Sequence, residues 1–247
     1  MNSTSHHVDW VAGADACRAG WFVVLRNIRT DETRSRRVPD ADSLLSLEEA
    51  PCIIAVDMVI GIPEEAVEGG RDCDRAARSL LGWPKSSSVF SPPSRSALSA
   101  PSYQEALERN RASGTDRVGL SKQTYNLIPK MHALDEALRS RDSVQDVYEV
   151  HPECSFCEMN GGQPVEASKH TSKGEQERML LLAEHGFSNV QGAVTMHRSG
   201  EIQTNDILDA FAAAWTATRI YRGTARRLPE DTELPRDATG LPMAIWL

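Results

Sequence analysis

Two aspartates, Asp206 and Asp209, stand three residues apart in QTNDILDAFAAAW (203–215), a segment that is otherwise largely apolar. That spacing puts both carboxylates on one helix face, where like charges cost a few tenths of a kcal/mol, and more once water is excluded. Asp206 has an ordinary explanation: with Thr204 or Asn205 as cap, the helix dipole favours an acid in the first turn. Asp209 lies a turn further in, between Leu208 and Ala210, and needs another partner. A bound cation faced by both carboxylates is such a partner, provided other acids reach the same point. Three candidates do so by position: Asp15 closes VDWVAGAD (8–15), Asp57 closes CIIAVD (52–57), and Glu149 lies near the end of VQDVYEV (144–150). Taken singly they read as a turn-capping Asp, a strand-end Asp and an exposed-face Glu. Taken together they share one explanation, because an acid in an apolar strand is costly unless paired or metal-bound. Hard oxygen donors of this kind suit Mg²⁺ or Mn²⁺, with water in the remaining positions.

The elements that must position these acids follow from periodicity. Residues 8–15 and 21–28 are β-rich runs joined through Gly20, hence a hairpin, and TRSRRV (33–38) has the polar alternation of an edge strand. ADSLLSLEEA (41–50), capped by Asp42 or Ser43, predicts a short helix, and the apolar run at 52–57 predicts a strand buried on both faces. The block 58–143 differs: a helix over 71–81, a Ser/Pro-rich loop at 86–102, helical periodicity at 103–110, and a long helical pattern at 123–141 interrupted by Pro129. We read it as a helical insertion over the sheet. A strand at 144–150, an amphipathic helix at 173–186 closed by Gly186, the Asp206/Asp209 helix reaching Arg222, and a short strand in GLPMAIWL complete the order. This is an α/β order with a mixed sheet, in which ligands gather at the carboxyl ends of the parallel strands.

Bulk properties narrow the class of protein. A chain of 247 residues, 40% hydrophobic and 25% charged, has the composition of an ordinary globular protein. The amino terminus has no basic region followed by an apolar run, and no stretch approaches the roughly 18–20 apolar residues of a membrane span. Five cysteines in a chain this long suggest a reducing, cytoplasmic setting rather than a disulfide framework. The net charge of −8 argues against a surface coated with basic residues for nucleic acid. Between Arg71 and Asp142, however, twelve Lys/Arg face eight Asp/Glu, so that segment is locally positive. A homodimer stays open.

A leading strand acid, a second at the fourth strand and an acid pair on a late helix together resemble the ribonuclease H-like superfamily. NDILDAFAAAW is similar to the final helix of bacterial Holliday-junction resolvases. The chain looks most like the family called domain of unknown function 429, described as predicted nucleases of that fold, through GADACRAGW (13–21), VDMVIGIP (56–63), RDCDRAAR (71–78), SSVFSPP (87–93), VYEVHPECSF (147–156), SKHTSKGEQER (168–178) and NDILDAFAAAW (205–215). The resemblance implies one ribonuclease H-like domain over 1–247, with 58–143 inserted after the fourth strand. It implies metal-dependent phosphodiester hydrolysis on Mg or Mn. Asp15, Asp57, Asp206 and Asp209 would be ligands and Glu149 a further catalytic acid. Lys169 and Lys173 match positions where basic residues lie near the phosphate. The insertion could cover the site and restrict substrate to something small or single-stranded.

Other residues carry competing readings. Arg71, Arg75 and Arg78 share a helical face and read as solvated ion pairs or as a phosphate clamp; Arg18, after the first strand, has similar status. His151, Cys154 and Cys157 could supply three zinc ligands, but a fourth is wanted and only Cys73 or Cys17 offers one. His151 is more simply a helper in proton transfer near the acids. Against the nuclease stand an ATP-handling enzyme, for which Gly-rich phosphate loops are missing, and a non-catalytic interaction or regulatory module.

Overall fold

Apolar alternation builds the sheet. The computed structural model describes residues 10–141, 147–230 and 233–247. In chain order the elements are β1 (Trp10–Cys17), β2 (Gly20–Asn27), β3 (Thr33–Val38), α1 (Ala41–Leu44), β4 (Ile53–Asp57), α2 (Asp72–Leu81), α3 (Tyr103–Ala112), α4 (Lys122–Arg139), β5 (Val147–Glu149), α5 (Pro152–Met159), α6 (Ser172–Glu184), α7 (Val190–His197), α8 (Thr204–Tyr221), β6 (Arg227–Leu228) and β7 (Ile245–Trp246). Five strands form a mixed sheet in the order β3-β2-β1-β4-β5. The β1–β2 and β2–β3 pairs are antiparallel, whereas β1–β4 and β4–β5 are parallel. A small β6–β7 ribbon adjoins its β5 edge through a parallel bridge between Val150 and Trp246.

Side chains two apart share a face. On one face Trp10, Ala12, Ala14, Trp21, Val23, Leu25, Ile54 and Val56 pack against Leu44 of α1 and Ile128, Met131, Leu134 and Leu138 of α4. On the other, Val11 and Ala55 meet Ala213 and Ala217 of α8, while Phe22 and Val24 meet Phe211 and Leu208. Gly13 explains how closely α8 lies on the sheet. A Cβ there would sit 1.9 Å from the Ala214 nitrogen, so only glycine lets the helix backbone rest on the strand. The alanine run of α8 serves the same approach, and Asp206 and Asp209 share the face that makes it.

Several elements depart from expectation. β1 continues to Cys17, so Asp15 lies within the strand and not at its close. α1 is only four residues long and is capped by Asp40, whose carboxylate accepts from the Ser43 nitrogen, not by Asp42 or Ser43. α4 runs through Pro129 uninterrupted. A proline costs its helix one hydrogen bond, and the buried side chains on either side of it hold the helix together. α5 and α7 were not foreseen, nor was β6 as the partner of the expected carboxyl-terminal strand. The start of the first predicted strand (8–9) and of the 144–150 strand, and the far boundary of the 58–143 block, lie outside the described residues. No helix among the described residues is long and apolar enough to cross a membrane.

Candidate metal centre

Register brings the acids together. Asp15 of β1 and Asp57 of β4 are direct partners across the parallel pair, so both point to the face on which α8 lies. With α8 pressed against Gly13, Asp209 comes over the same point. Asp15, Asp57 and Asp209 each offer a carboxylate oxygen, all within 4.8 Å of one another. Among the described residues this is the one group of three or more His, Cys, Asp or Glu side chains that converges in this way. Asp209 is 3% exposed, and its Oδ1 is buried with no hydrogen-bond partner. A buried carboxylate oxygen without a partner, on a residue of an acidic cluster, is a donor that a bound cation could use. The donors are all hard oxygens, and so fit Mg²⁺ or Mn²⁺.

Electrostatics agree with the geometry. Burial, then the charges of Asp57 and Asp209, hold Asp15 well above the ordinary carboxylate range. Desolvation and the neighbouring Asp209 push Asp57 up to about 8. Asp206 is raised too, mainly by burial. It stands on the edge of the cluster and accepts from the Gln203 nitrogen at 2.8 Å, closing the start of α8; the caps proposed at Thr204 and Asn205 are replaced by Gln203.

Lys169 is the cation already present. Its Nζ donates to Asp209 Oδ2 at 2.8 Å, and that carboxylate, outweighing burial, raises the lysine pKa. Lys173, its companion in the sequence reading, is instead exposed and pairs with Glu177 along α6. Sequence reasoning missed Lys130 of α4, which donates to the Gly20 carbonyl at 2.8 Å and feels Asp15 and Asp206. A lysine in an amphipathic helix carries no signal of such a contact.

Glu149 does not join the cluster. It pairs with Val56, one residue out of step with Asp57, and therefore faces the opposite side of the sheet. There it accepts from Arg71 Nη2 at 2.5 Å, Arg71 Nη1 at 2.8 Å and the Ile60 nitrogen at 2.7 Å. Arg71 also binds Asp74 at 2.7 Å, and all three side chains are buried. The clamp reading of Arg71, and the solvated one, both give way to a buried ion-pair network. Arg18 is exposed in the β1–β2 turn. His151 caps the start of α5; its Nε2 lies 3.3 Å from the Ser88 carbonyl, its Nδ1 is buried without a partner, and burial lowers its pKa. Cys154 and Cys157 are free thiols packed in the core.

A cavity of about 440 Å³ opens beside the centre, lined by Lys85, Ser87, Ser88, Gln123, Ser168 and Lys169 among others. Trp83, next to the lining residue Pro84, is 85% exposed.

The fold and site together define an α/β protein with a buried acidic centre where two parallel strands meet a long helix. The chain belongs to the family described as protein of unknown function (DUF429), whose model matches residues 13–234. No curated protein and no solved structure matches it.

Proposed function

We propose that this protein is a metal-dependent nuclease of the ribonuclease H-like superfamily, hydrolysing phosphodiester bonds at the Asp15/Asp57/Asp209 centre. The observation that carries this reading is the convergence of three carboxylates from two parallel strands and a helix, one of them with an orphaned buried oxygen. The strand order, with acids on β1, β4 and the final long helix, supports the superfamily assignment; residues 58–143 then form its insertion.

Asp15, Asp57 and Asp209 would hold Mg²⁺ or Mn²⁺, which when bound supplies an activated water and neutralises charge on the phosphate. The chain's own residues do the remainder. Lys169 fixes the Asp209 carboxylate and presents a positive charge at the edge of the cavity. Lys85, Gln123 and the Ser168 hydroxyl of the same cavity offer donors to phosphate and sugar oxygens. The exposed indole of Trp83 is suited to stacking on an unpaired base. A cavity of this size, in a protein of net charge −8, favours a short or single-stranded substrate over a long duplex.

Purified protein incubated with single-stranded, duplex and branched DNA and RNA, with and without Mn²⁺, tests the proposal. Mn²⁺-dependent cutting that disappears in Asp57→Asn is the expected result. Intact substrate in every combination overturns it.

A further inference from the structure

We infer that the centre is built for a single divalent cation, with the Lys169 ammonium standing as a resident charge where a second ion would otherwise sit. This rests on the metal-centre reading above and specifies its stoichiometry.

The first support is the use of donor atoms. Asp209 has one oxygen committed to Lys169 at 2.8 Å and the other buried and unpartnered. The free oxygen is the one open to an ion shared with Asp15 and Asp57; a second ion held by the other Asp209 oxygen would have to displace the lysine. Asp206, the remaining carboxylate nearby, already accepts from the Gln203 nitrogen.

The second is charge. Asp15, Asp57, Asp206 and Asp209 interact with one another and with Lys169 and Lys130, so once the carboxylates have given up their protons to a metal, four negative charges face two lysines. One doubly charged ion completes neutrality, and two would leave the centre with a surplus of two positive charges in a water-poor site. The adjoining clusters do not change the balance. Arg71 with Glu149 and Asp74 is net −1, and Lys85 with Arg178 and Glu153 is net +1.

The third is that Lys169 is held in place. The Ala167 carbonyl accepts from Lys85 Nζ at 2.9 Å and Arg178 Nη1 at 3.2 Å. The Ser168 carbonyl accepts from the Thr171 nitrogen and hydroxyl, and lies so close to Gly174 that a Cβ there would come within 2.0 Å of it. The loop is thus clamped on the first turn of α6 immediately before the lysine. A side chain placed by such a loop acts as a fixed part of the site, unlike a surface lysine free among many rotamers.

Metal binding tests this independently of cleavage. Calorimetry with Mn²⁺, and the anomalous signal of Mn²⁺-soaked crystals, should give one ion per chain at the three aspartates, with Lys169 still on Asp209. In Lys169→Gln the site should accept a second Mn²⁺ or bind the first about tenfold more tightly, since a positive neighbour is removed. Lys169→Arg, which keeps the charge, should stay at one ion. Two Mn²⁺ about 4 Å apart in the native protein, a Lys169 swung away from Asp209, or a Lys169→Gln variant indistinguishable from native each overturns the inference. One bound ion without cutting sinks the nuclease and spares this proposal; cutting with two ions does the reverse; no uptake of Mn²⁺ sinks both.

Discussion

Asp57 and Glu149 stand on neighbouring strands, yet they face opposite sides of the sheet and meet opposite environments. Around Glu149 every carboxylate has a partner: Arg71 spans Glu149 and Asp74, the Ile60 nitrogen fills another lone pair, and the space of about 20 Å³ between this network and Asp57 holds no more than a water. In the cluster that Asp57 forms with Asp15 and Asp209, by contrast, one buried carboxylate oxygen has no partner, and a cavity of about 440 Å³ opens beside its lysine, Lys169. Desolvating a charge is costly in both places. Only in the first does the fold itself repay that cost. The second is the cost that the cation proposed above would offset.

The comparison is broken most directly at Arg71. Arg71→Ala strands Glu149 and Asp74 without a counter-charge, and should cost about 3–5 kcal/mol of stability, measured by urea unfolding without metal. A loss under about 1 kcal/mol would mean that the network is not what holds this side together. The next effect belongs to the open side. Trp83→Ala should weaken single-stranded nucleic-acid binding by about 1–3 kcal/mol while leaving the unfolding midpoint unchanged, as expected of an indole that packs against little. Fluorescence anisotropy on labelled oligonucleotides reads the first quantity and a thermal melt the second.

Asp57 offers a smaller effect with a definite sign. Its folded pKa of about 8 lies above its ordinary value of 3.8, so between those limits the native state holds a proton that the unfolded chain has released. Stability of the metal-free protein therefore falls as pH rises from about 4 to about 8. Asp57→Asn should lessen that slope, and should stabilise the metal-free protein at pH 8 by about 1 kcal/mol, while the raised pKa of Asp15 leaves part of the slope in place. Mn²⁺ added to the native protein should oppose the fall, because it takes the deprotonated carboxylates. A slope unchanged by both would place the strain elsewhere.

These contrasts also explain what could be read in advance. The sheet was legible because its strands are apolar runs that alternate or bury both faces, and Asp57 and Asp209 were legible because an acid in such surroundings needs a reason. The face of Glu149 was not: it turns on a one-residue difference in register that only pairing with β4 decides. α5 escaped because HPECSFCEM is short and apolar, with a histidine and two cysteines that suggest metal chemistry, whereas its proline simply opens the first turn. The break expected at Pro129 failed because tertiary packing outweighed a local penalty. Lys130 feels Asp15 and Asp206 from a helix far along the chain, and that kind of proximity leaves no trace in spacing.

The smallest effect separates two lysines that the sequence could not. Lys169 and Lys173 lie four residues apart around the start of α6, and matching by motif gives both a place near phosphate. The structure divides them by local geometry. Lys169 precedes the cap residue Thr171, in a stretch turned back toward the sheet, and its ammonium reaches a buried carboxylate. Lys173 lies in the first turn of the helix, where side chains project into solvent, and its partner Glu177 is one turn on, at 3.5 Å. An exposed pair of that kind is worth at most about 0.5 kcal/mol. Lys173→Ala should therefore shift stability by no more than that and leave Mn²⁺ affinity within error of native, whereas Lys169→Gln changes it. If Lys173→Ala alters metal binding as much as Lys169→Gln does, the centre responds to diffuse surface charge, and the contrast between a fixed cation and a solvated one collapses.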